Sequence, residues 1–355
     1  MGNFNGTLRH NEIFGALFNM IISQQVFADN IAGTNSKLVD QAKVDGTLFG
    51  DTKLYYSCDC LASAPWGNDA EATNLLALHR PKAPEVQAIT ISNFRQISLT
   101  LDNYLSKRAF STVDAFSQFN SVMQQWIGDT RRVYDSTTYN AFIGTVSSAV
   151  GKQSQNVALS TITATGEEKN RLRAQTIANK LADILVEMTD VSRDYNDYGH
   201  LRSYSDVDIK VVWNSKYSNE ITKLDLPTIF HKDGVVDKLY EYILPSRYFG
   251  VINADQTQGN GTTIRSLIEQ DIGSNHYFAG DLIKASDKAP AGTSYTTDED
   301  IICKLFVKLP PYMSAFEVAT SFFNPKSLTE NHYLTFGRSD LEYLKNYPVV
   351  TIHEE

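Results

Sequence analysis

The sequence predicts a mixed α+β fold in which long helices and separate strands both contribute to the core. Residues 112–148 and 167–188 carry apolar residues at the three-to-four-residue spacing of an amphipathic helix. Residues 207–213 and 301–309 instead show the short alternating or continuous apolar patterns that are typical of strands. A chain that contains both kinds of element is expected to have a mixed α+β fold.

Composition and charge restrict the classes of protein to which the chain can belong. It has 355 residues, 42% of them hydrophobic and 21% charged, which is enough for a sizeable core and two or three compact lobes. The formal net charge of -9 disfavours a dedicated nucleic-acid binder, because proteins that contact many phosphates are usually basic. Three cysteines cannot form a disulfide framework and indicate a reducing compartment.

The first 52 residues are predicted to form a helix followed by an extended arm. Residues 13–27 carry an apolar stripe, and Asn11 occupies the N-cap position before it. The stretch is too short and too polar to span a bilayer, and it nearly lacks the basic residues of a membrane-surface helix. We therefore expect it to dock on protein and not on a membrane. The stripe supplies four candidate inter-subunit contacts: Ile13, Leu17, Phe18 and Ile21.

Residues 53–101 are predicted to form strands around a projecting loop. A short strand at residues 53–57 leads into a turn-rich segment that contains Trp66. Because Trp is favoured at interface hot spots, Trp66 is a candidate inter-subunit anchor, with local packing inside the loop as the alternative. Apolar and polar residues then alternate over residues 86–101, and a break at residues 93–95 predicts a long hairpin or a projecting loop whose return strand enters the body.

The strongest helical pattern follows at residues 112–148. Thr112 and Asp114 provide start signals, and a continuous helix of this length would measure about 50 Å at 1.5 Å per residue. A Ser-, Thr- and Gln-rich connection separates it from the second amphipathic helix, at residues 167–188. The first helix exceeds the usual globular length, so we expect it to form the rigid core of the fold.

The remaining chain predicts shorter elements and a tail. The strand at residues 207–213 precedes a short capped helix at residues 216–224. The strand at residues 301–309 stops at two consecutive prolines, and the tail that follows ends in an apolar run at residues 349–352.

No constellation of residues predicts catalysis, a cofactor or a bound metal. Cys58 and Cys60 form a Cys-x-Cys pair, but a structural zinc site needs four ligands and no second pair accompanies them. The glycine-rich loop at residues 259–263 lacks the Gly-Lys-Ser/Thr element that binds phosphate and magnesium. We therefore expect no catalytic residue, no cofactor and no metal site. The alternative is an α+β enzyme of unrecognised class that uses Cys58 and His79.

Two stretches carry a resemblance to a known family. Residues 86–102 lead into a long helix at residues 112–142, and residues 201–226 run from an Arg-Ser-Tyr turn through an apolar strand into a capped helix. With the N-terminal arm before them, this order resembles that of the HK97-type major capsid proteins of tailed bacteriophages. The second stretch is similar to a segment in capsid proteins of small short-tailed (podovirus) phages. In that family an N-arm and an E-loop precede a peripheral (P) domain with a long spine helix, and an axial (A) domain follows.

The resemblance implies an HK97-like α+β fold that is divided into five regions. These are the N-terminal helix and arm (1–52), the E-loop (53–92), the P domain (93–165 and 300–325), the A domain (166–299) and a C-terminal extension (326–355).

The resemblance also implies a major capsid protein that self-assembles, through hexamers and pentamers, into an icosahedral phage head around double-stranded DNA. Scaffolding and portal proteins would be further partners, and the packaged DNA would contact the inner face only weakly. The implied location is the virion, after assembly in the host cytoplasm.

An encapsulin-like compartment shell, or another virion structural protein, is the alternative within the same fold. A shell subunit needs no active site, but it needs extensions that cover its neighbours, because specific contacts bury about 1,200–2,000 Å². If the arm has that role, a chain without residues 1–50 should keep a folded body and fail to form closed particles.

Overall fold

The computed structural model describes residues 37–46, 50–63, 80–102, 113–222, 242–252, 295–297 and 300–355. The helices of this part are α1 (Lys37–Ala42), α2 (Val113–Thr145), α3 (Glu167–Thr189) and α4 (Ser215–Thr222), with a 3-10 turn at Ser246–Tyr248. Its strands are β1 (Lys43–Asp45), β2 (Thr52–Ser57), β3 (Glu85–Asp102), β4 (Ser154–Val157), β5 (Lys210–Asn214), β6 (Tyr242–Leu244), β7 (Gly250–Ile252), β8 (Tyr295–Thr297), β9 (Ile301–Phe306), β10 (Tyr312–Asn324), β11 (Thr329–Ser339) and β12 (Val349–Glu354).

Two five-stranded sheets organise the described residues. The first sheet has the order β1-β10-β11-β3-β2, and the second has the order β4-β12-β9-β5-β6. A separate two-stranded pair joins β7 to β8. The two prolines at residues 310–311 lie between β9 and β10, so the chain passes from the second sheet to the first where no backbone N–H is available to continue a ladder.

Helices cover both faces of the second sheet. On one face Val212 belongs to the same apolar cluster as Tyr139 and Ile143 of α2. On the other face its neighbour Trp213 packs in a cluster with Leu181 of α3. Burial on both faces explains why every residue of β9 is buried and why its sequence is almost continuously apolar.

The predictions for the long helices are confirmed. Helix α2 has 33 residues, which corresponds to a length of about 50 Å, and α3 has 23. The C-terminal end of α2 is fixed to the second sheet by Lys304, a side chain only 1% exposed, whose Nζ donates to the Val146 carbonyl at 2.6 Å. An ammonium group at this position stabilises the negative end of the helix dipole.

The predicted strands and the short helix are present with shifted bounds. The strand expected at residues 207–213 occupies Lys210–Asn214, and the helix that follows it is Ser215–Thr222. The strand expected at residues 301–309 ends earlier, at Phe306. The described residues contain no helix with the length and apolar content that crossing a bilayer requires.

Of the two alternatives for residues 86–101, the hairpin is wrong, because β3 is one continuous strand of 18 residues. The other alternative agrees with the structure, because β3 runs antiparallel to β2 and then enters the first sheet beside β11. The first part of β3 pairs with β2 as far as Thr90, and from Ile91 onwards it pairs with β11. Ile89 and Ile91 belong to one apolar cluster, whereas Leu99 and Leu101 belong to another. The polar residues between them mark the passage of a single strand from one core to the next, which the sequence pattern does not distinguish from a turn.

The end of the predicted arm belongs to the body of the protein. Leu38 and Val39 of α1 are each 1% exposed and belong to the apolar cluster of Tyr139, Ile143 and Val212, which we call the α2 cluster. Strand β1 pairs with β10 over Tyr312–Ser314. The expectation that residues 1–50 can be removed without loss of the body is therefore wrong. A deletion that tests the arm must stop at residue 36.

The tail is also part of both sheets. Strand β11 lies between β10 and β3, and β12 lies between β4 and β9. Strands β11 (Thr329–Ser339) and β12 (Val349–Glu354) are therefore interior strands of the two sheets. Residues 300–325 likewise contribute to both sheets, through β9 and β10. The division into five regions by residue number stays a prediction.

Candidate assembly site and the junction of the two sheets

The five candidate contact residues lie outside the described residues: Ile13, Leu17, Phe18, Ile21 and Trp66. Their roles stay predictions. Both ends of the segment that carries Trp66 are described, because β2 ends at Ser57 and β3 begins at Glu85. The contacts at these ends determine where the predicted E-loop leaves the body.

The end of β2 is held by a buried hydrogen-bonded group. The Ser57 hydroxyl donates to Asn346 Oδ1 at 2.7 Å and lies 2.8 Å from His200 Nδ1. Because a hydroxyl has one proton, Ser57 accepts from His200, which assigns the ring proton to Nδ1. Ser57 and His200 are 5% and 4% exposed, so these bonds form away from competing water.

Asp59 fixes the next turn of the chain. Its carboxylate accepts from the backbone N–H of Leu201 at 2.9 Å, from Arg193 Nη1 at 2.6 Å and from the backbone N–H of Cys60 at 2.8 Å. The hydrogen bonds from Leu201 and Arg193 hold the pKa of this carboxyl well below its ordinary value. Arg202 also donates to the Cys58 carbonyl, so the loop starts from a fixed point on the body.

Asp197 connects three segments that are far apart in sequence. Its carboxylate accepts from Ser148 Oγ at 2.7 Å, from Gln153 Nε2 at 2.9 Å and from the Tyr343 hydroxyl. Its backbone N–H donates to the Lys345 carbonyl at 2.8 Å. The burial of Tyr343 and its hydrogen bond to Asp197 raise the pKa of the phenol, so it stays a donor at neutral pH.

Gln87 brings the first sheet into the same network. This residue of β3 is 8% exposed, donates to the Tyr343 carbonyl at 2.8 Å and accepts from the Lys345 N–H at 3.0 Å. The connection between β11 and β12 is thus held from both sides. We call this group the junction; its members are Ser57, Gln87, Ser148, Gln153, Asp197, His200, Tyr343 and Asn346. It fixes the base of the loop relative to the second sheet.

The outer face of the β2–β3 ribbon is apolar and exposed. Tyr56 lies opposite Val86 in the register, and Leu54 lies opposite Ala88, so all four side chains share one face. Tyr56, Leu54 and Val86 are 64%, 50% and 49% exposed. An exposed apolar patch of this kind is typical of a surface that contacts another protein.

A buried charge cluster fixes α2 to the first sheet. The Asp135 carboxylate accepts from Arg131 Nε at 2.8 Å and from the Tyr312 hydroxyl at 2.5 Å. The Arg131 guanidinium also donates to Ser314 Oγ at 3.0 Å and lies over the ring of Phe336, 3.6 Å from its centroid. Arg131 and Asp135 are 8% and 5% exposed, so each depends on the other for charge compensation.

A second ion pair links α3 and α4 to the last strand. Arg173 Nη1 and Nη2 donate to the two oxygens of Glu354 at 2.9 and 3.2 Å, and the Tyr217 hydroxyl donates to the same carboxylate. Burial raises the pKa of Glu354, but the hydrogen bonds from Arg173 and Tyr217 outweigh it, so the pKa lies below the ordinary value of 4.5. Folding therefore favours the ionised form.

This pKa shift predicts an acid-sensitive contribution to stability. The contribution is fully present above the ordinary pKa of 4.5 and is lost as the pH falls through the lower pKa of the folded chain. We expect Glu354→Gln to lower the free energy of unfolding by about 1.5–3 kcal/mol at pH 7, and the difference from the parent to narrow below pH 4.5. Urea titrations at several pH values measure this difference in the free energy of unfolding. A difference that is constant with pH would contradict the assignment.

The described residues contain no group of three or more His, Cys, Asp or Glu side chains that could hold a metal ion. Cys58 and Cys60 are exposed, whereas Cys303 is buried in β9, where burial raises the pKa of its thiol. His79, the proposed partner of Cys58 in the enzyme alternative, lies outside the described residues. That pairing therefore stays a hypothesis.

The junction could not be predicted from the sequence because its members are far apart along the chain. The Ser57 hydroxyl meets an asparagine 289 positions away, and Gln87 meets a carbonyl 256 positions away. One local signal was available: Gln87 lies on the buried side of β3 together with Ile89 and Ile91. A polar residue on such a side is expected to have a specific buried partner.

The comparisons with known proteins establish the fold. No family model matches the chain, and no curated protein matches it by sequence. Among solved structures, a chain from the capsid structure of Staphylococcus phage Andhra is similar, with a TM-score of 0.66 and 11% identity over 94% of this chain and 87% of that one. A chain from a structure of head fiber and inner core protein gp22 of native bacteriophage P68 has a TM-score of 0.66 and 12% identity, over 94% and 88%.

This likeness confirms the fold class. The chain has the HK97-like α+β fold of tailed-phage capsid proteins, and the match extends over most of its length. The described elements follow the order that the resemblance implies: the β2–β3 ribbon, the long helix α2, then α3 with the second sheet.

Proposed function

We propose that the chain is the major capsid protein of a tailed bacteriophage and that its copies assemble into an icosahedral head around double-stranded DNA. The observation that carries the proposal is the extent of the fold match, 94% of this chain and 87% of the Andhra capsid chain. The proposal includes hexamers and pentamers as the units of the shell, and a structural and not a catalytic role.

The architecture of the described residues is suited to a shell. Helix α2 and the second sheet form a rigid body, and the junction fixes the base of the loop that carries Trp66 to that body. The exposed apolar face of Leu54, Tyr56 and Val86 adjoins the same base. A loop that starts from a fixed point loses less conformational entropy when it docks on a neighbouring copy.

The further contacts in the proposal come from outside the described residues. We place the stripe of the N-terminal helix and the loop tryptophan between subunits, at Ile13, Leu17, Phe18, Ile21 and Trp66. Scaffolding and portal proteins are the other protein partners. The net charge of -9 supports weak contact with packaged DNA, because strong phosphate binding would resist packaging and release. The proposed location is the virion, after assembly in the host cytoplasm.

Electron microscopy of the purified chain tests the proposal. We expect closed particles of uniform diameter from the full chain. A chain without residues 1–36, which retains the buried α1, should remain folded by circular dichroism and form few or no closed particles, because it lacks the arm.

Other outcomes would overturn parts of the proposal. A full chain that stays monomeric at high protein concentration would contradict assembly altogether. Closed particles from the truncated chain would contradict the role of the arm. Particles isolated from the natural source that contain an enzyme and no DNA would instead identify an encapsulin-like compartment.

A further inference from the structure

The outer edge of β10 is open over most of its length. Strand β1 pairs with β10 only at Tyr312–Ser314, and beyond that point no other described strand lies on this side of β10. On its inner side β10 remains paired with β11 as far as Asn324. Residues 318–324 are therefore paired with a strand on one side only, and no described strand occupies their other side. Such an edge presents unpaired backbone N–H and C=O groups.

The sequence of this edge lacks the usual protection against pairing. Residues 318–324 read Val-Ala-Thr-Ser-Phe-Phe-Asn, with no charged side chain and no proline. Phe322 and Phe323 are 60% and 49% exposed, and the three residues before them are exposed as well. Edge strands in monomeric proteins normally carry Lys, Pro or a bulge that prevents such pairing. The one irregularity in the pairing of β10 with β11 lies before this stretch, between Ala315 and Val318, and residues 318–324 keep an unbroken register with β11. This edge is therefore suited to accept another strand.

We propose that the edge of β10 pairs with the β10 edge of a second copy, antiparallel about a two-fold axis at Ser321. In this register Ser321 faces its own copy, Phe322 faces Thr320, and Phe323 faces Ala319. Each aromatic ring thus lies beside a small side chain, on both faces of the joined sheet. Two copies of an uncharged edge can also approach without local repulsion, although each chain carries a net charge of -9.

A self-complementary pairing of this kind closes after two copies. An isologous contact uses the same edge on both partners, so it consumes both free edges and cannot propagate into a fibre. The inference rests on the proposed function. A stable interface buries about 1,200–2,000 Å², and the pairing of seven residues on each copy buries less surface than that. The pairing acts within a shell whose other contacts hold the copies in place.

Cysteine cross-linking in assembled particles tests the register. In a Cys58→Ser, Cys60→Ser background, Ser321→Cys places two thiols opposite each other, with Cβ atoms about 4.5–5.5 Å apart. Ser98→Cys is the matched control, because this exposed serine of β3 would lie five strand spacings, about 24 Å, from its copy. After mild oxidation we expect roughly tenfold more covalent dimer from Ser321→Cys, because its Cβ separation lies near the upper end of the about 3.5–4.5 Å that a disulfide requires, whereas that of Ser98→Cys lies far beyond it.

Hydrogen exchange on unmodified particles gives a second, independent measurement. We expect the amides of residues 318–324 to exchange more slowly in particles than in unassembled subunits. Particles that form normally but show neither the dimer nor this protection overturn the β10 pairing and leave the proposed function intact. Dimers from Ser98→Cys would also overturn it. A parent chain that forms no particles overturns the proposed function, and the pairing with it.

Discussion

Asp135→Ala is expected to destabilise the protein by about 3–5 kcal/mol, the usual cost of leaving a buried charge without its partner. The substitution removes the carboxylate that compensates Arg131, whose side chain is enclosed between α2 and the first sheet. It also leaves the Tyr312 hydroxyl without its acceptor. Because these contacts join the long helix to β10, the loss should be seen in global unfolding and not only in local fraying.

An exposed ion pair provides the control. Lys43 Nζ lies 3.3 Å from the Asp40 carboxylate, and the two side chains are 46% and 54% exposed. Solvent-exposed pairs contribute about 0–1 kcal/mol, so Asp40→Ala should be close to neutral. Urea unfolding of unassembled subunits, followed by circular dichroism, measures both variants. Equal midpoints for Asp135→Ala and Asp40→Ala would contradict the structural role of the cluster.

Gly144→Ala is expected to destabilise the protein by about 1–3 kcal/mol or more, through overpacking. A Cβ atom at this position of α2 would lie 2.0 Å from the carbonyl oxygen of Tyr248. That oxygen belongs to the backbone of the 3-10 turn, so a side-chain rotation cannot relieve the contact. Helix α2 and the 3-10 turn would have to move apart, although both contribute residues to the α2 cluster.

Gly128→Ala is the matched control, with the opposite sign. Gly128 lies in the same helix, and a Cβ atom there would meet nothing within 4 Å. Alanine is favoured over glycine in a helix interior by about 1 kcal/mol, so this variant should be stabilised. Thermal unfolding of the two variants measures both effects. Stabilisation by Gly144→Ala would contradict the close approach of α2 to the turn.

The elements that the sequence predicted well are those whose signal is local. Helix α3 buries one face along its length, so its apolar residues recur at helical spacing. Helix α2 keeps that spacing although its residues 135–144 are buried on every side. Strand β9 is buried on both faces and reads as an apolar run. Burial over several consecutive turns or residues produces a pattern that a short window of sequence contains.

The elements that the sequence predicted poorly depend on partners that are distant in the chain. The single strand β3 was divided because its pairing partner changes from β2 to β11 near Ile91. The pairing of β12 with β4 and β9 decides that the tail is interior, and no feature of residues 349–354 identifies those partners. The junction was missed for the same reason, since its hydrogen bonds connect residues separated by dozens to hundreds of positions.

The central claim is that the chain is a subunit that assembles with copies of itself into a shell, and a three-dimensional reconstruction of the purified particles tests it most directly. We expect a closed icosahedral shell in which each subunit has the two sheets and the long α2 described above. A reconstruction that requires another protein to form the continuous shell, or a purified chain that remains a monomer under all conditions of concentration and salt, would contradict the account.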